Sequence, residues 1–137
     1  MFSQILDRDG RSYAIVMTED ADLISVKAYD RQTLIGEAKC LRENPETLYL
    51  RDIAIANQVI RKKIYIRAKS RKKFLSYNSK ITSYRARGLG SALLQFLIDY
   101  AVANGIRCFY GRVYQQDVEN TPNLLEWYRK HGFETRE

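Results

Sequence analysis

Four segments follow one another in the first half of the chain: "RSYAIVMT", "ADLISVKAYD", "TLIGEAKCLRE" and "ETLYLRDIAIA". Each is rich in β-branched and aromatic residues and roughly alternates apolar with polar, the period of a strand with one buried face. The links between them, "TEDAD", "DRQ" and "NPE", are short and carry the Asp, Asn and Pro chemistry of tight turns. An antiparallel meander is the economical arrangement of such a run. No helical period appears before Asn57.

The period changes at Gly88. Leu89, Ala92, Leu93, Phe96, Leu97, Tyr100 and Ala101 recur at three- and four-residue spacing, and Gly105 closes the pattern as a helix stop. "IRCFYGRVYQ" then reads as a strand. "TPNLLEWYRKHG" reads as a second helix, with Thr121 as N-cap, Pro122 at the first helical position and Gly132 as the stop. "FETRE" reads as a last short strand. A strand, helix, strand succession after a meander implies a mixed sheet, parallel where the helix crosses over. The 137 residues, 45% of them hydrophobic, suit one α+β domain spanning 1–137.

Charge is spread unevenly. The net charge is +7, yet no acidic residue lies between Asp52 and Asp99, while Arg61, Lys62, Lys63, Arg67, Lys69, Arg71, Lys72, Lys73, Lys80, Arg85 and Arg87 fall inside that span. Such a field attracts phosphate-bearing partners: a nucleotide cofactor, a nucleic acid or an acidic surface. Within it, "KIYIRAK" alternates like a strand, and the stretch from about 57 to 84 is expected to form a β-hairpin or flap. The alternatives are a solvated surface excursion or pairing with a second copy in a homodimer.

Several chemistries are poorly served. Cys40 and Cys108 have no metal-ligand spacing and sit in strand-like runs, where a buried free thiol is the usual state. His131 is the single histidine, so a Ser-His-Asp triad could be built only around it, and no metal site is expected. No run of about 18 apolar residues is present, and "MFSQILDRDGRSY" lacks the features of a signal peptide, so a soluble, cytoplasmic protein with no membrane partner is expected.

One turn stands out. "SYRARGLGSALLQ" sets two arginines and two glycines in front of the first helix. A helix start offers unpaired N–H groups and the positive end of the helix dipole, and glycines let the chain wrap an anion closely. Arg85-x-x-Gly88-x-Gly90 therefore has the make-up of a phosphate cradle, though it is neither a P-loop nor a dinucleotide fingerprint.

In order and spacing, "LYLRDIAI", "RARGLGSALLQFLIDYA", "IRCFYGRV" and "LLEWYRKHGFE" resemble the GNAT superfamily of acyl-CoA-dependent N-acyltransferases. Its signature loop Arg/Gln-x-x-Gly-x-Gly/Ala is met by Arg85, Gly88 and Gly90, and its Tyr-x-Lys-x-Gly-Phe signature by Tyr128, Lys130, Gly132 and Phe133. The resemblance runs from Leu48 to Glu134. It implies a GNAT-like central mixed sheet with flanking helices, and acetyl-CoA and an amine acceptor as substrates. By the same resemblance the pantetheine arm would pair with Ile53, Ala54 and Ile55. The pyrophosphate would lie in the loop Arg85, Ala86, Arg87, Gly88, Leu89, Gly90 and Ser91, on the N–H groups of Arg87, Gly88, Gly90 and Ser91. Tyr128 matches the family's general acid toward the CoA sulfur. Asp52, just before the pantetheine strand, is the candidate base, with Glu37 second, unless ordered water removes the proton.

The chain also departs from the family. No helical pattern stands where two helices usually separate the first strands, so a reduced N-terminal helical part is expected. Thr121 occupies the position, seven before the tyrosine, where an Asn is common. Two rivals are a nucleic-acid-binding module stacking bases on Tyr65, Phe74, Tyr77 and Tyr84, and a CoA-binding regulator without turnover. No recognition helix or RNA-binding motif supports the first.

Overall fold

The structure, a computed structural model, describes residues 3–55, 59–67, 74–83 and 88–135. Five strands open the chain: β1 (Ser3–Leu6), β2 (Ser12–Asp20), β3 (Leu23–Asp30), β4 (Thr33–Asn44) and β5 (Thr47–Ile55). Each pairs antiparallel with the next. The β2–β3 link is the pair Ala21 and Asp22, with Ala21 at φ 54°, and among the described residues no helix precedes α1, in keeping with the reduced N-terminal helical part expected. The basic span forms an antiparallel pair of its own, β6 (Val59–Arg67) with β7 (Phe74–Ser83), as its alternation predicts. Next come α1 (Leu89–Ala103), β8 (Cys108–Gly111), α2 (Gln115–Asn120) and α3 (Leu124–Lys130). β8 lies parallel to β5, giving a mixed six-stranded sheet in the order β1-β2-β3-β4-β5-β8.

α1 packs on one face of this sheet. Its Leu89, Leu93, Leu94, Leu97 and Ala101 are buried with Tyr13, Ile15, Ile24, Val26, Ala28, Ala38, Cys40, Leu48 and Leu50 from the strands. The helix ends where the sequence places its stop: Gly105 takes φ 74°, its N–H bonds the Val102 carbonyl at 3.4 Å, and the Ile106 N–H bonds the Ala101 carbonyl at 2.9 Å. These two bonds form a Schellman motif. Farther along the helix, Arg42 Nη2 donates to the Tyr100 hydroxyl (3.0 Å), which donates to Glu19 Oε1 (2.6 Å) and so ties α1 to β4 and β2.

β5 carries the irregularity that shapes one end of the sheet. Cys40 pairs with Leu50 but Lys39 with Asp52, so Arg51 is an extra residue, a β-bulge. The bulge shifts the alternation by one. Leu50 and Ile53 therefore face α1 together, and Asp52 and Ala54 share the opposite face with Lys39 and Glu37. The pairing of β5 with β8 starts at Thr47–Cys108 and stops at Leu50–Gly111, leaving β5 to run on past the end of its parallel neighbour.

Four readings need correction. α3 begins at Leu124, with Asn123 as its N-cap, while Thr121 ends α2 and Pro122 lies in the turn between the two helices. β8 covers four residues of the longer strand expected from "IRCFYGRVYQ". Phe133 to Thr135 form no strand, because Phe133 turns back onto α3 instead. Cys40 is buried as expected, but Cys108 is exposed. The two thiols should differ accordingly: burial pushes the Cys40 thiol up to about 12, and the thiolate is the reactive form. Iodoacetamide at pH 8 should label the folded chain once, at Cys108, and the unfolded chain twice. Equal labelling of both thiols in the native state, read by peptide mass spectrometry, would contradict this packing.

Candidate active site

The start of α1 has the geometry of an open donor site. Gly88 takes φ 78°, a left-handed conformation that glycine adopts without strain, and no side chain among the described residues caps the helix. No acidic residue occupies the first turn. The N–H groups of that turn lack carbonyl partners within the helix, and no carboxylate of the turn offsets the helix dipole. The Arg8 guanidinium lies alongside: a Cβ built on Gly88 would stand 3.7 Å from Arg8 Nε. Arg8 is held there by the β1–β2 turn, in which buried Asp7 accepts from the N–H groups of Asp9 and Arg11 (both 2.9 Å) and from the Tyr13 hydroxyl (2.8 Å). Arg85, Ala86 and Arg87, expected in the same cradle, lie outside the described residues. Gly88→Ala should cost about 1–2 kcal/mol by forcing a Cβ into the left-handed region. A chemical denaturation midpoint identical to wild type would show that the turn relaxes instead.

Gly90 marks where three elements meet. A Cβ there would lie 3.5 Å from Trp127 Cζ2 on α3 and 3.9 Å from Ile55 Cγ1 on β5. The helix start, the overhanging end of β5 and α3 thus share one corner. Trp127 Nε1 donates to Ser91 Oγ at 3.0 Å, joining α3 to the first turn of α1.

The sequence "YRKHGF" has a structural reason. Gly132 takes φ 94° and its N–H bonds the Arg129 carbonyl (3.0 Å), while the Phe133 N–H bonds the Tyr128 carbonyl (3.2 Å). This is a second Schellman motif, whose usual apolar contact is here Phe133 against Tyr128, ring centroids 5.8 Å apart. Phe133 also packs edge-on to Phe109 of β8 at 5.5 Å. The glycine and the phenylalanine of the motif therefore fix Tyr128 relative to the sheet.

Tyr128 is half-buried between Trp127 and Phe133. Burial pushes its phenol up from the usual value, and the charges of Asp117 and Asp52 push it further, so it stays protonated at neutral pH. Two acidic groups thus act on the candidate proton donor. Asp52 is exposed on β5, opposite Lys39. Glu37 is held by two lysines, Lys27 Nζ at 3.8 Å and Lys39 Nζ at 3.6 Å, which leaves Asp52 the better placed of the two carboxylates. Asp117 accepts from the Tyr114 N–H at 3.0 Å in the first turn of α2.

Sequence reasoning missed Arg8, Asp117 and the role of Trp127. Arg8 reaches α1 across the sheet end and has no local signal. Asp117 sits on a helix too short to show an apolar period. Trp127 was legible only as a neighbour of Tyr128.

The model of the acetyltransferase (GNAT) family matches residues 3–133 of the chain. A search of curated protein sequences returns no match. Among solved structures, the chain is similar to an aminoglycoside acetyltransferase from an uncultured soil metagenomic sample at 18% identity and a TM-score of 0.55, over 87% of this chain and 64% of that one. A transcriptional regulator from Bacillus halodurans C-125 matches at 15% identity and a TM-score of 0.54, again over 87% and 64%. An integron cassette protein from the mobile metagenome of V. cholerae matches at 14% and 0.52, over 88% and 59%. The chain therefore spans less than two thirds of each of these neighbours, and at such identities the likeness is one of fold.

Proposed function

The chain belongs to the acetyltransferase (GNAT) family, and from that premise we propose that it transfers an acetyl group from acetyl-CoA to a primary amine. The observation that carries this reading is the corner at Gly90, where the uncapped start of α1, the overhang of β5 and the Tyr128 helix meet. The residues fit the cosubstrate. First-turn N–H groups and Arg8 suit a pyrophosphate, and the backbone of Ile53 and Ala54, continuing into Ile55, suits the amides of a pantetheine arm. When bound, acetyl-CoA supplies an activated acyl group.

The chain's own part is orientation and proton movement. As the acceptor nitrogen bonds to the thioester carbonyl carbon and the C–S bond breaks, Tyr128 gives its phenolic proton to the departing sulfur. The proton lost by the nitrogen passes to Asp52, directly or through water. The carboxylates of Asp52 and Asp117 favour an approaching ammonium. In the sequence the basic span lies between Ile55 and Gly88, and its field favours an acceptor that also bears an anionic group.

Calorimetry with CoA and acetyl-CoA is the first test, followed by mass spectrometry of acetylated products over a panel of amines and peptides. Saturable CoA binding with turnover of one amine class is expected. No affinity for CoA, together with salt-dependent binding to DNA or RNA, would replace this reading with a nucleic-acid-binding one.

A further inference from the structure

Trp127 stands one residue before the candidate proton donor, and two of its contacts reach the start of α1. Its indole N–H donates to Ser91 Oγ (3.0 Å), and Cζ2 lies 3.5 Å from the Cβ position of Gly90. Its ring meets Tyr128 edge-on, centroids 4.9 Å apart at 72°. His131 buttresses it from behind, with ring centroids 4.8 Å apart and Nδ1 donating to the Trp127 carbonyl at 2.8 Å.

We propose that Trp127 is a positioning residue with two tasks: it orients the Ser91 hydroxyl as an extra donor to the pyrophosphate of acyl-CoA, and it sets the distance between that pyrophosphate site and Tyr128. The inference rests on the acyl-CoA reading of the corner. A serine hydroxyl has one proton to give and two lone pairs, whereas an indole can only donate. Once Ser91 Oγ accepts the indole proton, its rotamer is fixed and its own proton is left to give. Ser91 is the third residue of α1, in the turn whose first backbone N–H groups have no carbonyl partner within a helix. An oxyanion bound there meets one more donor than the backbone alone supplies. The same indole is the wedge between α1 and α3, so a change at Trp127 should reach both cofactor affinity and the acid step. Packing alone would satisfy an indole with any acceptor. Here the acceptor is the one hydroxyl in the first turn of α1.

The test is a double-mutant cycle read by calorimetry with CoA itself as the probe. Trp127→Phe keeps an aromatic wedge and removes the N–H, and it should weaken CoA binding by about threefold to tenfold, the worth of one neutral hydrogen bond. Ser91→Ala should weaken binding at least as much, and Trp127→Phe should add little in the Ser91→Ala background. Additive effects, or wild-type affinity in Trp127→Phe while the parent binds CoA, would overturn the proposal and leave the family-level reading standing. A parent chain with no affinity for CoA would overturn both. If Trp127→Phe folds poorly, Ser91→Ala carries the test, because it leaves the indole in place. The chain has one tryptophan, so a single indole N–H resonance reports on it. CoA should shift that resonance in the parent and much less in Ser91→Ala; an equal shift in both would sink the coupling.

Discussion

Tyr128→Phe is expected to lower kcat by about 10²- to 10⁴-fold, the usual worth of a positioned general acid, with CoA affinity close to that of the parent. The substitution is clean because packing and chemistry separate in this side chain. The ring contacts to Trp127 at 4.9 Å and Phe133 at 5.8 Å, and the Schellman turn that holds them, all survive in phenylalanine. Only the phenolic hydroxyl is lost. Burial, Asp117 and Asp52 all raise the phenol above its ordinary value of 10.0, so the acid form should persist through neutral pH and any loss of rate from its ionisation should appear only in strong alkali. The same elevation keeps the proton on Tyr128 until the thiolate departs, while making the phenol a weaker acid than a free one. Kinetics under saturating acetyl-CoA settle the matter. A kcat within twofold of the parent would mean that water protonates the leaving sulfur and that Tyr128 only shapes the groove.

What could be read from the sequence divides along a physical line. β2 to β5 and α1 show in the sequence because each buries one face and so repeats its apolar residues at the period of its own geometry. β1, with four residues, and α2, with six, are too short to establish a period. Thr121 and Pro122 mimic a helix start, but they form the turn that ends α2, and the helix holding Tyr128 begins only at Leu124. A cap signal is local, and two adjacent short helices can compete for it. The glycine loop and the "YRKHGF" run were readable for another reason: Gly88 and Gly132 both take positive φ, so residue type there is dictated by the backbone itself. Arg8 beside Gly88 and Trp127 beside Ser91 are meetings of segments distant in sequence. Only the fold supplies them.

Leu97→Ala should be the most damaging single change to the fold, at about 2–5 kcal/mol, a large share of the 5–15 kcal/mol that holds a domain together. Leu97 is fully buried in the layer between α1 and the sheet, whereas Val102 on the same helix is 74% exposed, and Val102→Ala should cost at most about 0.5 kcal/mol. The contrast isolates burial from helix propensity, since both changes introduce alanine into one helix. It also joins the fold to the site. α1 is held to the sheet by its leucines, and its first turn is the proposed phosphate cradle, so a ligand bound there stabilises the packed helix. At about 100 times its Kd, CoA should return roughly 2.7 kcal/mol to parent and variant alike. In a thermal melt Leu97→Ala should unfold several degrees earlier and recover much of the deficit when CoA is added. Recovery in the parent but none in the variant would mean that the cavity disorders the cradle itself. A midpoint unmoved by Leu97→Ala would mean that α1 does not pack on the sheet as described.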